Sequence, residues 1–212
     1  MKKVALVTCY FHPNYGSMLQ AYATQKILDD WNIPCENIRI DGLKKAIKGS
    51  KTKFYLKQLN NPQVITGTIL RIGKKFIIKK LMKNSLGNNL VIRNKCFQSF
   101  VAINFKLSKS YNSRTELTSS CSDYSAVLVG SDQLWLPSNI DADYYTLTWV
   151  PDKVNKVAYA TSFGTNFLPK YQQEKAKQFL SRIDHIAVRE QSGQRMIKEY
   201  IGIDVPVVCE DR

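Results

Sequence analysis

The chain has 212 residues, 44% of them apolar and 23% charged, and a formal net charge of +14. Such a chain is globular, one large domain or two small ones, and can bury about 70% of its unfolded surface without disulfide or metal staples. The composition excludes collagen-like and disordered chains, and no apolar run approaches the roughly 20 residues of a membrane span.

Lys3 to Cys9, KVALVTC, is a short β-branched apolar run that predicts a buried first strand. A signal peptide is the weaker reading, because Thr8 interrupts the run, His12-Pro13 ends it and no small-residue cleavage site follows. The loop YFHPNYG leads into SMLQAYATQKILDDW, a predicted helix with Leu19, Tyr22, Ala23 and Ile27 on one side. Asn32-Ile33-Pro34 closes it, and ENIRID is a second strand.

Between Gly42 and Thr115 stand 17 Lys or Arg and no Asp or Glu, whereas the rest of the chain carries 14 basic and 17 acidic residues, a net of −3. This basic segment is predicted to be mostly helical, with breaks at Asn60-Asn61-Pro62, Gly73 and Gly87-Asn88-Asn89. Residues 64–83 give no clean amphipathic stripe, since Lys80 and Lys83 fall on or near the face of Ile65, Ile69, Ile72 and Phe76. A field of this kind attracts polyanions or an anionic membrane surface. No zinc-finger spacing, RNA-binding aromatic motif or helix-turn-helix signature accompanies it, so no specific nucleic-acid partner is expected.

Ser113-Arg-Thr-Glu116 is a capping box. Tyr124–Val129 is a predicted strand that runs into GSDQLW. KVAYA (156–160) is a strand followed by a Ser162-Phe163-Gly164 turn. Residues 170–181 are helical, DHIAV (184–188) is a strand, Arg189–Ile201 is a helix closed by Gly202, and VPVVC (205–209) is a last strand. Strands alternating with helices predict an α/β fold, a doubly wound, mostly parallel Rossmann-like sheet. The five cysteines are odd in number and show no metal-site spacing, so a reducing, cytoplasmic compartment and no bound metal are expected.

In such sheets ligands bind beyond the carboxyl ends of the strands, and the polar motifs lie there. Asn14, Tyr15, Gly16 and Ser17 open the first helix, whose free N–H groups favour anions. Neither a dinucleotide-binding glycine pattern nor a P-loop is present. After the strand ending at Val129, Gly130 lets the backbone turn or approach a ligand. Ser131, Asp132 and Gln133 supply a hydroxyl, a carboxylate and an amide, and Trp135 offers a flat face of the kind sugars stack on. Ser162, Phe163 and Gly164 make a tight turn. Arg189 is a fixed cation for carboxylate or phosphate, with Glu190 beside it as its partner or a general acid. His12, in the first loop, is a better proton carrier than His185 within an apolar strand.

Asn14–Tyr22 (NYGSMLQAY), Val129–Trp135 (VGSDQLW), Ala158–Gly164 (AYATSFG) and Ile186–Glu190 (IAVRE), in this order, resemble the polysaccharide pyruvyl transferase family over nearly the whole chain. The resemblance implies the N-terminal lobe of a two-lobed, B-type glycosyltransferase fold, spanning 1–212 with a basic helical insertion at about 42–115. It implies transfer of the enolpyruvyl unit of phosphoenolpyruvate to a sugar of a cell-surface or exopolysaccharide. The acceptor is a sugar or lipid-linked oligosaccharide, and no cofactor is needed beyond the donor. Asp132, Glu190 and His12 become the catalytic candidates. Asn14, Tyr15, Gly16, Ser17, Gly130, Ser131, Gln133, Trp135, Ser162, Phe163, Gly164 and Arg189 become the substrate-binding ones.

In the family, Val-Val-x-Asp-Pro leads into a second lobe with an Arg-Leu-His type motif. Here VVCEDR ends the sequence, with Asp211 matching the aspartate and Arg212 in place of the proline. The expectation is therefore an N-terminal half whose second lobe is absent. It is expected to self-associate through the face that lobe would cover, and to work in the cytoplasm, peripheral to the inner face of the membrane. The alternatives are a lobe of a sugar-nucleotide-dependent glycosyltransferase and a non-catalytic single-lobe remnant.

Overall fold

The structure is a computed structural model that describes residues 2–58 and 87–209. The breaks expected at Asn60-Asn61-Pro62 and Gly73, the stripe tested over 64–83, and Asp211 and Arg212 lie outside the described residues. The chain divides into two compact units, Met1–Lys51 with Phe105–Arg212, and Thr52–Asn104.

The first unit is built on six parallel strands: β1 (Lys3–Val7), β2 (Cys35–Arg39), β3 (Leu107–Ser110), β4 (Tyr124–Asp132), β5 (Asn155–Thr161) and β6 (His185–Val188). Their order is β3-β2-β1-β4-β5-β6, which makes this a Rossmann-like sheet with the winding reversing between β1 and β4. The helices are α1 (Tyr15–Asp30), α2 (Lys44–Gln58), α3 (Gly87–Asn104), α4 (Arg114–Ser120), the single turn α5 (Pro137–Ile140), α6 (Lys170–Leu180) and α7 (Gln191–Ile201). Alternation along the strands builds two cores. Leu6 joins Leu28 of α1 and Cys35, with Val4 and Leu128 packed against them. Ala5, Val7, Val127 and Val129 point the other way into the larger cluster, with Phe179 of α6 and Ile197 of α7.

The inward face of α1 is not the side that Leu19 and Ile27 mark. Those two are 56% and 45% exposed, and Met18, Ala21, Gln25 and Leu28 are buried instead. The reason is a polar line across the sheet. The Gln25 Oε1 atom accepts from Asn37 Nδ2 at 3.1 Å and from the Lys106 backbone N–H at 2.9 Å. Thr8 Oγ1 in turn donates to Asn37 Oδ1 at 2.7 Å.

Three other elements differ from expectation. β3 lies within the segment expected to be mostly helical and pairs with β2 at the sheet edge. β4 runs on through Asp132, because Gly130 and Asp132 still pair with Tyr159 and Thr161 of β5. Gly130 is required by that neighbour, since a Cβ there would lie 2.0 Å from the Tyr159 carbonyl oxygen. Residues 205–209 form no full strand. Val207 makes one parallel bridge to Val188, with Val188 N–H to Pro206 O at 3.0 Å and Val208 N–H to Val188 O at 2.8 Å, and Pro206 has no N–H to extend the ladder. The capping box is present: Ser113 accepts from the Glu116 N–H at 3.1 Å. Glu116 reaches back to the Asn112 N–H at 2.8 Å, one residue before the cap.

Candidate active site at the carboxyl edge of the sheet

The winding reversal leaves a crevice between the ends of β1 and β4. Asn14 caps α1 there, its side chain accepting from the Ser17 N–H at 3.1 Å. The cap aims the Ser17 hydroxyl across the crevice, where it donates to Asp132 Oδ2 at 2.5 Å. Asp132 Oδ1 accepts from the Gln133 N–H at 2.8 Å and faces Arg189 Nη1 at 3.9 Å. Arg189 Nε lies 3.3 Å from Glu190 Oε2. Two carboxylates therefore flank one guanidinium, with the three side chains between 20% and 29% exposed.

The backbone of this cluster is stitched to the turn after β5. The Asp132 carbonyl accepts from the Leu134 N–H at 2.7 Å and the Ser162 N–H at 3.0 Å, and the Trp135 N–H donates to Ser162 O at 3.0 Å. The Ser162 hydroxyl accepts from the Gly164 N–H at 2.9 Å. Gly164 has φ +60°, and a Cβ there would meet Leu136 Cδ2 at 2.8 Å, so the turn closes on itself only with glycine.

Beside the cluster, on the β5–β6 side, is an open cleft of about 790 Å³. Gln133, Ser162, Gly164, Arg189 and Glu190 line it, together with Ser192 and Arg195 of α7. Glu190 is the N-cap residue of α7, so the first turn of that helix opens on the cleft. Arg195 is exposed and has no hydrogen bond or ion pair among the described residues. The cleft thus holds two guanidinium groups and a helix N-terminus, a combination that attracts a multiply charged anion.

On the other side, the loop after β1 contributes His12, whose backbone is fixed by bonds to Cys9 O at 3.1 Å and from Asn14 N at 2.7 Å. Desolvation by the surrounding protein, then the Lys51 ammonium, push the His12 imidazole below its ordinary value, with Asp132 pulling the other way. Burial likewise lowers Lys51 and raises the neighbouring Cys9 thiol to about 11. Both shifts favour the neutral form of the group, the unprotonated imidazole and the protonated thiol.

Of the residues predicted from sequence, the structure brings together Ser17, Asp132, Gln133, Ser162, Gly164, Arg189 and Glu190, with Asn14 positioning Ser17. His12 borders this group, Ser131 is half-buried between Gly130 and Asp132, and Tyr15 and Gly16 are exposed in the first turn of α1. Gly16 answers no steric demand, its nearest would-be contact being Asn14 Oδ1 at 3.4 Å. Gly130 is committed to β5 rather than to a ligand. Trp135 is a correction to the expected sugar platform, and Phe163 to the expected substrate-binding set. Both are fully buried, their rings 5.1 Å apart, and Trp135 packs on Phe179 at 5.5 Å and donates from Nε1 to Tyr145 O at 3.1 Å. They anchor the two loops from below. Lys51, Ser192 and Arg195 were missed. Arg195 follows Gln191 by four residues, the spacing that puts both on one helical face, and this was the available signal.

The sheet is Rossmann-like, and two carboxylates and a guanidinium meet at its carboxyl edge. Residues 14–210 match the model of the family described as Polysaccharide pyruvyl transferase, and the chain belongs to that family, a family of transferases. No curated protein and no solved structure matches the chain.

Proposed function

We propose that this chain takes part in transfer of the enolpyruvyl unit of phosphoenolpyruvate to a sugar of a cell-surface polysaccharide. The sugar is free or carried on a lipid-linked oligosaccharide. The observation that carries the reading is the Ser17–Asp132–Arg189–Glu190 cluster at the β1–β4 switch point, next to a cleft lined by Arg189 and Arg195. Making a pyruvate ketal requires a proton delivered to the methylene carbon, two sugar hydroxyls added to the adjacent carbon, and phosphate expelled. One hydroxyl proton ends on the methylene carbon and the other leaves with phosphate. Asp132 or Glu190 serves the proton transfer, with neutral His12 as the nearby acceptor. Arg189, Arg195 and the first turn of α7 hold the donor's carboxylate or phosphate, and stabilise the charge that builds up as phosphate leaves. Gln133 and Ser162 are placed to hold sugar hydroxyls. No metal is assigned a role.

Donor choice tests this reading. Thermal protection of the full protein by phosphoenolpyruvate is expected, and Arg195→Ala should weaken it about tenfold or more, as loss of a charge-assisted hydrogen bond does. Protection by a sugar nucleotide with none by phosphoenolpyruvate would replace the pyruvyl reading with glycosyl transfer.

A further inference from the structure

A helix that packs one side on a sheet ordinarily carries polar residues on the other. α1 departs from this. Met18, Ala21 and Leu28 are buried on its inner side, yet a second apolar line runs along the outside. Tyr15, Leu19 and Ile27 are 67%, 56% and 45% exposed, Ala23 is exposed between the last two, and Trp31 at the C-cap is 68% exposed. Each follows the one before by four residues, so the five form one continuous ridge from the first residue of α1 to its cap. Scattered exposed apolar residues are ordinary, but a ridge roughly 24 Å long is an interaction surface.

The ridge is graded symmetrically in size. Its midpoint is the smallest side chain, Ala23, with an aliphatic four residues to either side and an aromatic eight residues to either side. Two helices that cross are closest at the crossing point and part toward their ends, so a small centre and large ends suit such a contact. About a two-fold axis at Ala23, Leu19 of one copy meets Ile27 of the other, and Tyr15 meets Trp31. The charges agree with this register. Lys26 of one copy comes opposite Gln20 of the other, Asp29 opposite Ser17 and Asp30 opposite Gly16, so no charged group on the helix meets a like charge. An aromatic side chain can bury roughly 150–250 Å², and about two-thirds of Tyr15 and of Trp31 is open. With Leu19, Ala23 and Ile27 the ridge offers on the order of 500 Å² per copy, and two copies reach about the 1,000 Å² of a specific contact.

We propose that α1 is the contact of a homodimer, in which the ridges of two copies pack across a two-fold axis at Ala23. A second copy is the occupant because an isologous contact needs a surface complementary to itself, and this ridge matches its own reverse in size and in charge. The contact leaves the acid–base candidates accessible. Ser17 is two residues from Tyr15 and about 200° around the helix, so it keeps its bond to Asp132 on the side away from the second copy.

The test is sedimentation of the full protein from about 1 to 100 μM, a range in which contacts of modest area associate. The parent protein is expected to sediment as a dimer. Leu19→Glu with Ile27→Glu sets carboxylates against each other at both symmetric contacts and should raise the dissociation constant about a hundredfold or more. Leu19→Lys with Ile27→Glu sets an ammonium against a carboxylate at both and should restore the dimer, whereas a face that is only sticky would lose it in both variants. Leu19 and Ile27 are exposed, so both variants should keep the far-UV circular dichroism and melting temperature of the parent protein. Ala23→Cys gives a separate reading. With the exposed Cys96 and Cys209 changed to Ser, it should form a disulfide between two copies under mild oxidation, because residue 23 faces itself across the axis. A monomeric parent protein over that range, a dimer untouched by the two glutamates, a second variant as monomeric as the first, or no cross-link at residue 23 would each overturn the proposal.

Discussion

Asp132 holds a backbone φ of +123°, a region that residues with a side chain seldom enter and that costs about 1–3 kcal/mol. The surroundings hold it there: Ser17 on one carboxylate oxygen, the Gln133 N–H on the other, and two N–H groups on its carbonyl. Strain maintained at a carboxylate that faces an arginine points to a role other than packing. Asp132→Gly should accordingly hold or raise stability in denaturant titration, gaining up to about 2 kcal/mol as the strain is released. A loss of more than about 1 kcal/mol would mean that the carboxylate's hydrogen bonds outweigh the strain. His12 gives a second test. Its imidazole should titrate below its ordinary value by NMR, and Lys51→Met should raise that midpoint by removing a nearby positive charge. Because the folded value lies below the unfolded one, the stability tied to the neutral ring is present above the unfolded pKa. It is lost as pH falls through the folded pKa. A midpoint unmoved by Lys51→Met would take Lys51 out of the site.

The elements show what local patterning can reveal. β1, β5 and β6 were legible as β-branched apolar runs, and α7 by its glycine C-cap, Gly202 at φ +75°. β3 was not legible, because an edge strand on a polar pair needs little apolar sequence, and of its four residues only Ser108 is buried. The face of α1 was misread because its inward side is fixed by the Gln25–Asn37 contact rather than by hydrophobicity. Gln25→Leu tests this. It should cost about 1–3 kcal/mol despite being apolar, since the Asn37 amide and the Lys106 N–H lose their acceptor. A neutral or stabilising result would show that the line is dispensable. Gly130→Ala tests the close approach of β4 to β5 and should destabilise by more than about 1 kcal/mol, as the backbone there admits no Cβ. A stability equal to that of the parent protein would show that the two strands can separate locally without loss.

At the scale of the molecule, much of the site was readable because four motifs each follow a strand, and parallel strands deliver their carboxyl ends to one edge. The direction of the aromatic rings was not readable. Whether Trp135 faces a sugar or the core depends on Phe163 and Phe179, which come from elements far along the chain. Nor was Arg195, whose place on the cleft depends on how α7 leaves β6. Charge is divided as sharply as structure: every net positive charge of the chain belongs to residues 42–115, and the remainder, which holds Asp132, Arg189 and Glu190, is net −3. The proposed function places enolpyruvyl transfer on this cluster, with Asp132 at its centre. The most direct measurement is phosphate release from phosphoenolpyruvate by the full protein with a sugar acceptor, compared with Asp132→Asn. The substitution keeps the size of the side chain; its one oxygen can accept from the Gln133 N–H while its amide N–H donates to the Ser17 hydroxyl, so the fold should be preserved. Turnover is expected to fall roughly 100- to 10,000-fold, the contribution of a positioned acid or base. Turnover close to that of the parent protein, at equal stability, would contradict the account.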